Sequence, residues 1–253
     1  GDIYVDPTGN NDNSGTTSAS PYKTISYAML SAFANSSNPG TIHLADGTYS
    51  PSTNGEYFPL GGKDNVSIIG SSQEGTILNG DSLTSIFYFE EIDDVTISDL
   101  TVKNGYAAYG GGIYSIQSNI HFDSLIIIDN TALQNGGGIF CVNQSSNTIT
   151  NTITNVIIEN NETINSGGGG AFFGVQPYSE PGIHNLFLNN VSFIGNTAPH
   201  EGGGVQFYQM IDANIDGMIV RDNICNGSGG GIFFFDNSPN LKNTLIYNNT
   251  ALR

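Results

Sequence analysis

NTALQNGGGIF, the stretch Asn130–Phe140, contains three consecutive glycines. Glycine loses more backbone freedom on folding than any other residue, so a triplet of this kind needs a structural reason. The same spacing, with an asparagine six residues before a glycine of the run, occurs at five places in the 253 residues. The pairs are Asn104 and Gly110, Asn130 and Gly136, Asn161 and Gly167, Asn196 and Gly202, and Asn223 and Gly229. Sequence units that recur every 26 to 35 residues are typical of a solenoid.

Apolar residues alternate with polar ones before each asparagine, and a second apolar segment follows the glycines. Leu125 and Ile127, which lie five and three residues before Asn130, show the period of two that indicates a strand with one buried face. The segments IYSI, IFCV and IFFF follow three of the glycine runs. Each coil is therefore predicted as a strand, an asparagine corner, a glycine corner, a second strand and a return of variable length. The fold class is all-β, with a parallel β-helix of roughly eight coils over residues 41–253.

Residues 1–40 differ from the repeats and are predicted to form an N-terminal cap of a strand, a polar loop and an amphipathic helix. Ser20 suits the N-cap of the helix and Pro21 its first turn. The helix presents an apolar stripe at i, i+3, i+4, i+7 and i+8, formed by Ile25, Ala28, Met29, Ala32 and Phe33. Such a helix would cover the first open coil. At the other end the repeat stops before its next glycine run is due, so we expect the polypeptide to continue.

The composition limits the classes of partner. The formal net charge is −17, with only six Lys and Arg residues, which argues against nucleic acid and against anionic membranes. No apolar run approaches the roughly 20 residues of a membrane span. Cys141 and Cys225 are predicted to lie too many coils apart for a disulfide. A composition rich in asparagine and poor in lysine suggests an extracellular or cell-surface location.

The strand after the glycines offers the best candidate for a binding site. If the first apolar residue of each segment points inward, alternation turns a column of apolar and aromatic side chains outward. The predicted ladder consists of Tyr114, Phe140, Phe173, Tyr208, Phe233 and Phe235. Exposed aromatic faces suit sugar rings or a protein partner. Two alternatives stay open: the return at 174–188, with Pro177, Tyr178 and Pro181, could fold over the ladder, and a shift of one residue would invert its direction.

Catalytic and metal sites have weaker support. The acidic run EEIDD at 90–94 is typical of an exposed turn, and Lys103 of a solvated corner, so no catalytic residue is assigned. Asp12 lies in GNNDNSG at 9–15, a loop rich in oxygen ligands that a hard cation prefers, although loops of this kind are commonly turns. Calcium is therefore a candidate ligand, with Asp12 as its weakly supported site, and no cofactor is required.

Two parts of the chain resemble known families. The opening segment, from IYVDPTGN through SPYKTISYAMLSA to GTIHLADGTYS, resembles the N-terminal cap of bacterial secreted right-handed parallel β-helix proteins, including relatives of the family-nine polysaccharide lyases. The repeats resemble the GGA[ILV] and FxxN motifs of polymorphic outer-membrane proteins and similar adhesins, with FIGN at 193–196 matching FxxN and GGGI or GGGV standing for GGA. The resemblance implies a right-handed, single-stranded β-helix on an exported bacterial protein, and it fixes no activity.

Two functions of different classes follow. The leading hypothesis is a non-catalytic module of a larger surface or secreted protein, an adhesin, stalk or structural repeat that contacts glycan or protein along one sheet. The alternative is a carbohydrate-active enzyme of the pectate-lyase-like superfamily, a polysaccharide lyase or glycoside hydrolase. End-to-end self-association through the last coil is a third expectation.

Overall fold

The computed structural model describes residues 1–176, 182–209, 212–236 and 239–252, and it shows a parallel β-helix. Its strands form three parallel sheets of fifteen, seven and six strands. The seven strands of the second sheet correspond to about seven coils, one fewer than the roughly eight predicted. Within the described ranges, the chain has no helix with the length and apolarity that a membrane crossing requires.

The fifteen-stranded sheet is the longest and includes the strand of the cap. Its nine-strand path comprises Asp2–Val5, Gly40–Leu44, Val66–Gly70, Val95–Lys103, Ile120–Ile128, Ile149–Thr154, His184–Asn189, Asp212–Asp216 and Asn240–Lys242. The strands that branch from this path are Gly47–Tyr49, Thr76–Asn79, Ile157–Glu159, Ser192–Ile194, Ile219–Arg221 and Leu245–Tyr247.

The other two sheets contain the segments on either side of the glycine corner. The seven-stranded sheet comprises Leu60–Gly61, Phe87–Glu90, Ile113–Ile116, Ile139–Asn143, Ala171–Val175, Val205–Tyr208 and Ile232–Phe235. The six-stranded sheet comprises Tyr106–Ala107, Thr131–Ala132, Glu162–Thr163, Thr197–Ala198, Ile224–Cys225 and Thr250–Ala251. Coils are in register, so residues at equivalent positions form columns that run along the helix axis.

The hydrophobic core is the interior of the coil, filled by the inward columns of all three sheets. Ile113, Ile139 and Val205 form one such column in the seven-stranded sheet and are fully buried. Cys141 and Cys225 are buried free thiols. Burial raises the pKa of the Cys141 thiol to about 12, so this group stays neutral.

The glycine corner allows successive coils to approach closely. Gly136 adopts φ +70°, a conformation that disfavours side chains, and a Cβ on it would lie 2.2 Å from the carbonyl oxygen of Ile139. A Cβ on Gly137 would lie 2.2 Å from the carbonyl oxygen of Gly169 in the next coil. The first glycine is therefore needed for the turn, and the second for the stacking of coils.

The cap helix spans Ile25–Ser31, and its N-cap is Thr24, whose Oγ1 accepts a hydrogen bond from the Tyr27 N–H at 3.3 Å. The prediction of Ser20 and Pro21 at the start of the helix was wrong, because Pro21 belongs to the preceding loop. In the apolar stripe, Ile25, Ala28 and Ala32 are buried. Phe33 lies beyond the helix and is 84% exposed, with the Lys63 Nζ 5.3 Å from its ring centroid.

Glu56 joins the cap helix to the first coil. Its carboxylate is buried, and it accepts hydrogen bonds from the N–H groups of Ile25 at 2.6 Å and Ser26 at 2.9 Å. Hydrogen bonds to a charged group stabilise more than neutral ones, by about 1.5–3 kcal/mol. The Glu56 side chain therefore anchors the start of a helix that supplies no acidic residue of its own in the first turn.

Replacing Glu56 by alanine should lower the free energy of unfolding by about 2 kcal/mol, because two N–H groups of the helix lose a charged acceptor. Denaturant unfolding followed by circular dichroism measures this change. The matched control is Glu74→Ala, since Glu74 is an exposed carboxylate. Equal stability of the two variants would show that Glu56 does not hold the cap.

Candidate ligand-binding face

The asparagine corner forms a buried hydrogen-bonded column. From Asn161 onward, each asparagine Oδ1 accepts from the backbone N–H and from the Nδ2 of the asparagine one coil earlier. The Nδ2 of every column member also donates to a strand carbonyl. The column consists of Asn130, Asn161, Asn196, Asn223 and Asn249. Its first four members are buried. Stacking of coils is thus reinforced by side chains as well as by the sheets.

Two of the predicted corner residues are displaced by one position. Gly105, not Asn104, lies in the asparagine column, where its N–H donates to Asn130 Oδ1 at 2.8 Å. Asn104 adopts φ +52°. The residue that precedes each later member of the column has a φ within 10° of this value. Gly167 likewise precedes the turn, and Gly168, with φ +67°, is the equivalent of Gly110, Gly136, Gly202 and Gly229. This coil therefore has one extra residue between its column asparagine and its turn glycine.

An aromatic ladder runs along the outside of the seven-stranded sheet. We call it the outer ladder, and its rings are Tyr88, Tyr114, Phe140, Phe172, Tyr208 and Phe235. Successive ring centroids are 4.8 to 6.1 Å apart, with interplanar angles of 7° to 26°. The spacing follows the distance between parallel strands, about 4.8 Å, so the coil geometry itself stacks the rings.

Phe173 faces the core instead, which corrects its predicted place on the ladder. The extra glycine shifts this coil by one residue, so Phe172 pairs with Phe140 and points outward. Phe173 is fully buried and stacks on Phe207 at 5.8 Å. Phe233 lies in the outward column and is half-buried, but Gln206 separates it from Phe172.

The ladder changes column between Phe172 and Tyr208. Gln206 takes the position in register with Phe172, and Gly174 takes the position in register with Tyr208. A Cβ on Gly174 would lie 3.1 Å from the Phe172 ring and 3.2 Å from the Tyr208 Cβ. The missing side chain therefore leaves room for the two rings to meet diagonally, 6.1 Å apart.

The outer ladder is buried in its middle and exposed at its ends. Phe140 is 2% exposed and Phe172 is 5% exposed, and they form a second apolar cluster with Ile116 and Val142. Tyr88 and Phe235, the two end rings, are 39% and 44% exposed. The ring faces between the ends are covered by their neighbours. Pro177, Tyr178 and Pro181, the segment predicted to cover the ladder, lie outside the described residues.

A carboxylate lies beside the first rings. The Tyr88 hydroxyl donates to Glu90 Oε2 at 2.8 Å, and this bond, followed by burial, raises the pKa of Tyr88 to about 12. Burial, together with the negative charge of Glu90, raises the pKa of Tyr114. Both phenols are therefore neutral hydrogen-bonding groups around neutral pH.

The other candidate residues do not converge on one place. Asp12 is exposed, and its backbone N–H donates to the Asn10 side chain, so this part of the loop is organised as a turn. The described part of the chain contains no group of three or more His, Cys, Asp or Glu side chains that could hold a metal ion. Glu91 and Asp93 are exposed, as predicted for the acidic run, and line a polar groove with Asn119. Lys103 ends a strand of the long sheet.

Comparison with known proteins agrees with this architecture. A family described as a protein of unknown function, DUF1565, matches residues 7–90, and the Chlamydia polymorphic membrane protein repeat matches residues 124–142. The chain is a β-helix repeat protein. The first match includes most of the cap and continues into the coils that follow it, and the second covers part of one repeat.

A curated relative is metabotropic glutamate receptor-like protein P of Dictyostelium discoideum, 29% identical over 175 residues. That match covers 58% of this β-helix and 12% of the relative, so the chain spans about an eighth of the relative's length. Among solved structures, a rhamnogalacturonan lyase aligns with a TM-score of 0.63 at 15% identity, over 98% of this chain and 68% of the other. Pectin methylesterase PemA from Erwinia chrysanthemi aligns with a TM-score of 0.55 at 12% identity, over 86% and 65%. These alignments show a shared fold.

Three residues that matter for the outer face were missed by the sequence analysis: Tyr88, Phe172 and Gly174. Tyr88 lies in FYFE, which has no glycine run before it, so a search for glycine runs passes over this coil. Counting from the first inward apolar residue of each coil would have placed Phe172 and Gly174 correctly, since these inward residues are paired through every level.

Proposed function

We propose that this β-helix is a non-catalytic module of a larger secreted or surface protein, and that it contacts a glycan or a protein partner along the outer ladder. The observation that carries the proposal is the stack of six aromatic rings outside the hydrophobic core. The end rings, Tyr88 and Phe235, are exposed and offer a large apolar area to a partner, as a binding face requires.

The chemistry of the remaining groups supports a binding role. Cys141 and His184, a thiol and an imidazole in one buried polar cluster, are fully enclosed in the core and cannot meet a polymer on the surface. The carboxylate nearest the ladder, Glu90, is engaged by the Tyr88 hydroxyl. The matching repeat of polymorphic membrane proteins supports a secreted or surface location, and bacterial export stays a prediction.

Replacing the first two rings, Tyr88→Ala with Tyr114→Ala, should weaken binding of the partner at least tenfold, because the exposed end of the ladder loses both rings. An array of glycans and affinity electrophoresis in polysaccharide gels measure this change. Tyr106→Ala is the matched control, since Tyr106 is similarly exposed but lies in the six-stranded sheet. Unchanged binding by the double variant would contradict the proposal.

The alternative, a carbohydrate-active enzyme, is favoured by one observation. Glu91 and Asp93 both line a polar groove of about 430 Å³ beside the seven-stranded sheet, and a pair of carboxylates is what glycoside hydrolysis uses. Incubation with pectin, alginate and neutral polysaccharides, with and without calcium, tests it. New reducing ends or unsaturated products that disappear in Glu91→Gln or Asp93→Asn would establish the enzyme and overturn the non-catalytic proposal.

End-to-end self-association stays a prediction. Leu245 and Ile246, which belong to the last strand of the long sheet, are 55% and 51% exposed and offer an apolar edge to a second copy. Sedimentation velocity at rising protein concentration measures the association. A single monomeric species throughout would contradict it for this chain.

A further inference from the structure

The outer ladder ends at Tyr88 with one ring face that no side chain of the preceding coil covers. Tyr114 stacks on the other face, with a centroid distance of 4.9 Å and an interplanar angle of 12°. In the preceding coil the residue in register with Tyr88 is Gly61. A Cβ built on Gly61 meets nothing within 4 Å, so the space beside the Tyr88 ring is open.

Gly61 also lines a groove of about 450 Å³ between the cap helix and the first strand of the seven-stranded sheet, so this groove adjoins the open space. The groove is lined by Gly61, by Met29 and Leu30 of the helix, and by Ser26, Tyr57 and Lys63. Tyr57 is 76% exposed and adds a second aromatic surface. The volume of the groove lies within the range of small-molecule sites, about 300–1,000 Å³.

We propose that a neutral sugar ring stacks on the open face of Tyr88 beside Gly61, next to this groove, and so continues the outer ladder by one level. The inference rests on the proposed binding function and names its site and ligand class. A pyranose presents an apolar C–H face to an aromatic ring and hydroxyl groups at its edge, which matches a flat ring surrounded by polar groups.

Polar groups lie both beside the Tyr88 ring and in the adjoining groove. Glu90 keeps one carboxylate oxygen free of its bond with Tyr88 and can accept from a sugar hydroxyl. The Lys63 ammonium donates to the Ala32 carbonyl oxygen and has further N–H groups to offer. The Glu90 carboxylate beside the ring and the net charge of −17 disfavour a polyanion such as a uronate chain, so an uncharged polyol is the expected ligand class.

The experiment uses isothermal titration calorimetry and saturation-transfer NMR with defined oligosaccharides. The probes are neutral hexamers of β-1,4-linked glucose, mannose and galactose, with hexagalacturonate as the charged counterpart. We expect at least one neutral hexamer to bind, and to bind at least tenfold more tightly than hexagalacturonate.

Gly61→Phe is the decisive variant, because its ring would fill the open place and stack on Tyr88 in the sugar's position. Binding should fall at least tenfold while the melting temperature is retained. Tyr88→Leu, which keeps an apolar side chain but removes the ring, should show the same loss, and it tests the site even if the first variant does not fold. Tyr106→Leu should bind like the unsubstituted protein.

The outcomes separate this inference from the proposed function. Binding that survives Gly61→Phe and Tyr88→Leu but is lost in Phe235→Leu would overturn the site beside Gly61 and leave the outer ladder as a binding face. Equal or tighter binding of hexagalacturonate would overturn the ligand class. The absence of binding by every neutral hexamer would overturn the inference outright.

Discussion

Replacing Asn161 by alanine is expected to lower the free energy of unfolding by about 4 kcal/mol or more. Its Oδ1 accepts from the backbone N–H and from the Nδ2 of Asn130, both at 2.9 Å. Its Nδ2 donates to the carbonyl oxygen of Ile127 at 2.9 Å and to Asn196 Oδ1 at 3.1 Å. Truncation leaves several of these buried groups without a partner, and each costs about 1–3 kcal/mol.

Two further variants isolate the hydrogen bonds from the change in volume. Asn161→Asp keeps the shape of the side chain but turns an oxygen toward two acceptors, so it should also destabilise the protein strongly. Asn165→Ala alters an exposed asparagine of the same coil and should change the free energy of unfolding by less than about 0.5 kcal/mol. Denaturant unfolding curves give these differences. If Asn161→Asp were as stable as the unsubstituted protein, the asparagine column would not be what holds the corner.

The coils that Asn161→Ala destabilises most are also predictable. In a solenoid each coil contacts only its neighbours, so stability is approximately a sum of local terms. Hydrogen exchange should therefore quicken first in the coils that contain Asn130 and Asn196, and least in the cap around Ile25. Uniform acceleration along the chain would show that the β-helix unfolds as one cooperative unit.

The parallel β-helix was predictable because its corner chemistry is local. Only glycine fits where one backbone crosses close to another, and asparagine supplies both a donor and an acceptor to a column. These requirements recur in every coil and therefore appear in the sequence as a period. The cap strand and helix were predictable for a similar reason, since their apolar residues must face the first coil.

The register of individual coils was less predictable. Counting six residues forward from each asparagine assumes a corner of fixed length, and residues 161–168 contain one residue more. This single insertion moved the prediction from Gly168 to Gly167 and from Phe172 to Phe173. Because side chains alternate along a strand, an error of one residue exchanges the inside for the outside.

The diagonal step of the ladder could not be predicted from a repeat at all. It depends on Gly174 leaving space at one position while Gln206 occupies another, and these residues belong to different coils. A periodic pattern describes what coils share, whereas a binding face depends on where they differ. The open place at Gly61 is another such difference, since later coils carry tyrosine, phenylalanine or glutamine at that position.

A buried histidine makes the stability of the protein depend on pH. His184 lies in the core, with Nε2 2.8 Å from Asn151 Oδ1 and Nδ1 3.2 Å from the carbonyl oxygen of Gly174. Asn151 Nδ2 donates to the Ser118 carbonyl oxygen, which fixes the amide with its oxygen toward the ring. The groups that contact the imidazole are neutral, so burial dominates and lowers the pKa of His184 to about 4.

The sign of the effect follows from which state binds the proton. Between pH 6.5 and about 4 the unfolded chain protonates this histidine and the folded chain does not, so stability falls as pH falls through this window. The free energy of unfolding is not reduced by this histidine above pH 6.5. At pH 4 it is lower by about 3 kcal/mol, at 1.36 kcal/mol per pKa unit. Carboxylates titrate near the lower end of the window, so the measurement must be made against a variant that lacks only the imidazole.

His184→Gln provides that reference, because its amide can still donate to Asn151 and carries no titratable group. We expect urea unfolding at pH 7 and pH 4.5 to show a larger loss of stability in the unsubstituted protein than in the variant, by about 2 kcal/mol or more. His200→Gln, which changes an exposed histidine, should behave like the unsubstituted protein. If acid instead stabilised the unsubstituted protein relative to His184→Gln, the two carbonyl oxygens would be holding an imidazolium, and the account of the core around Asn151 would have to be reversed.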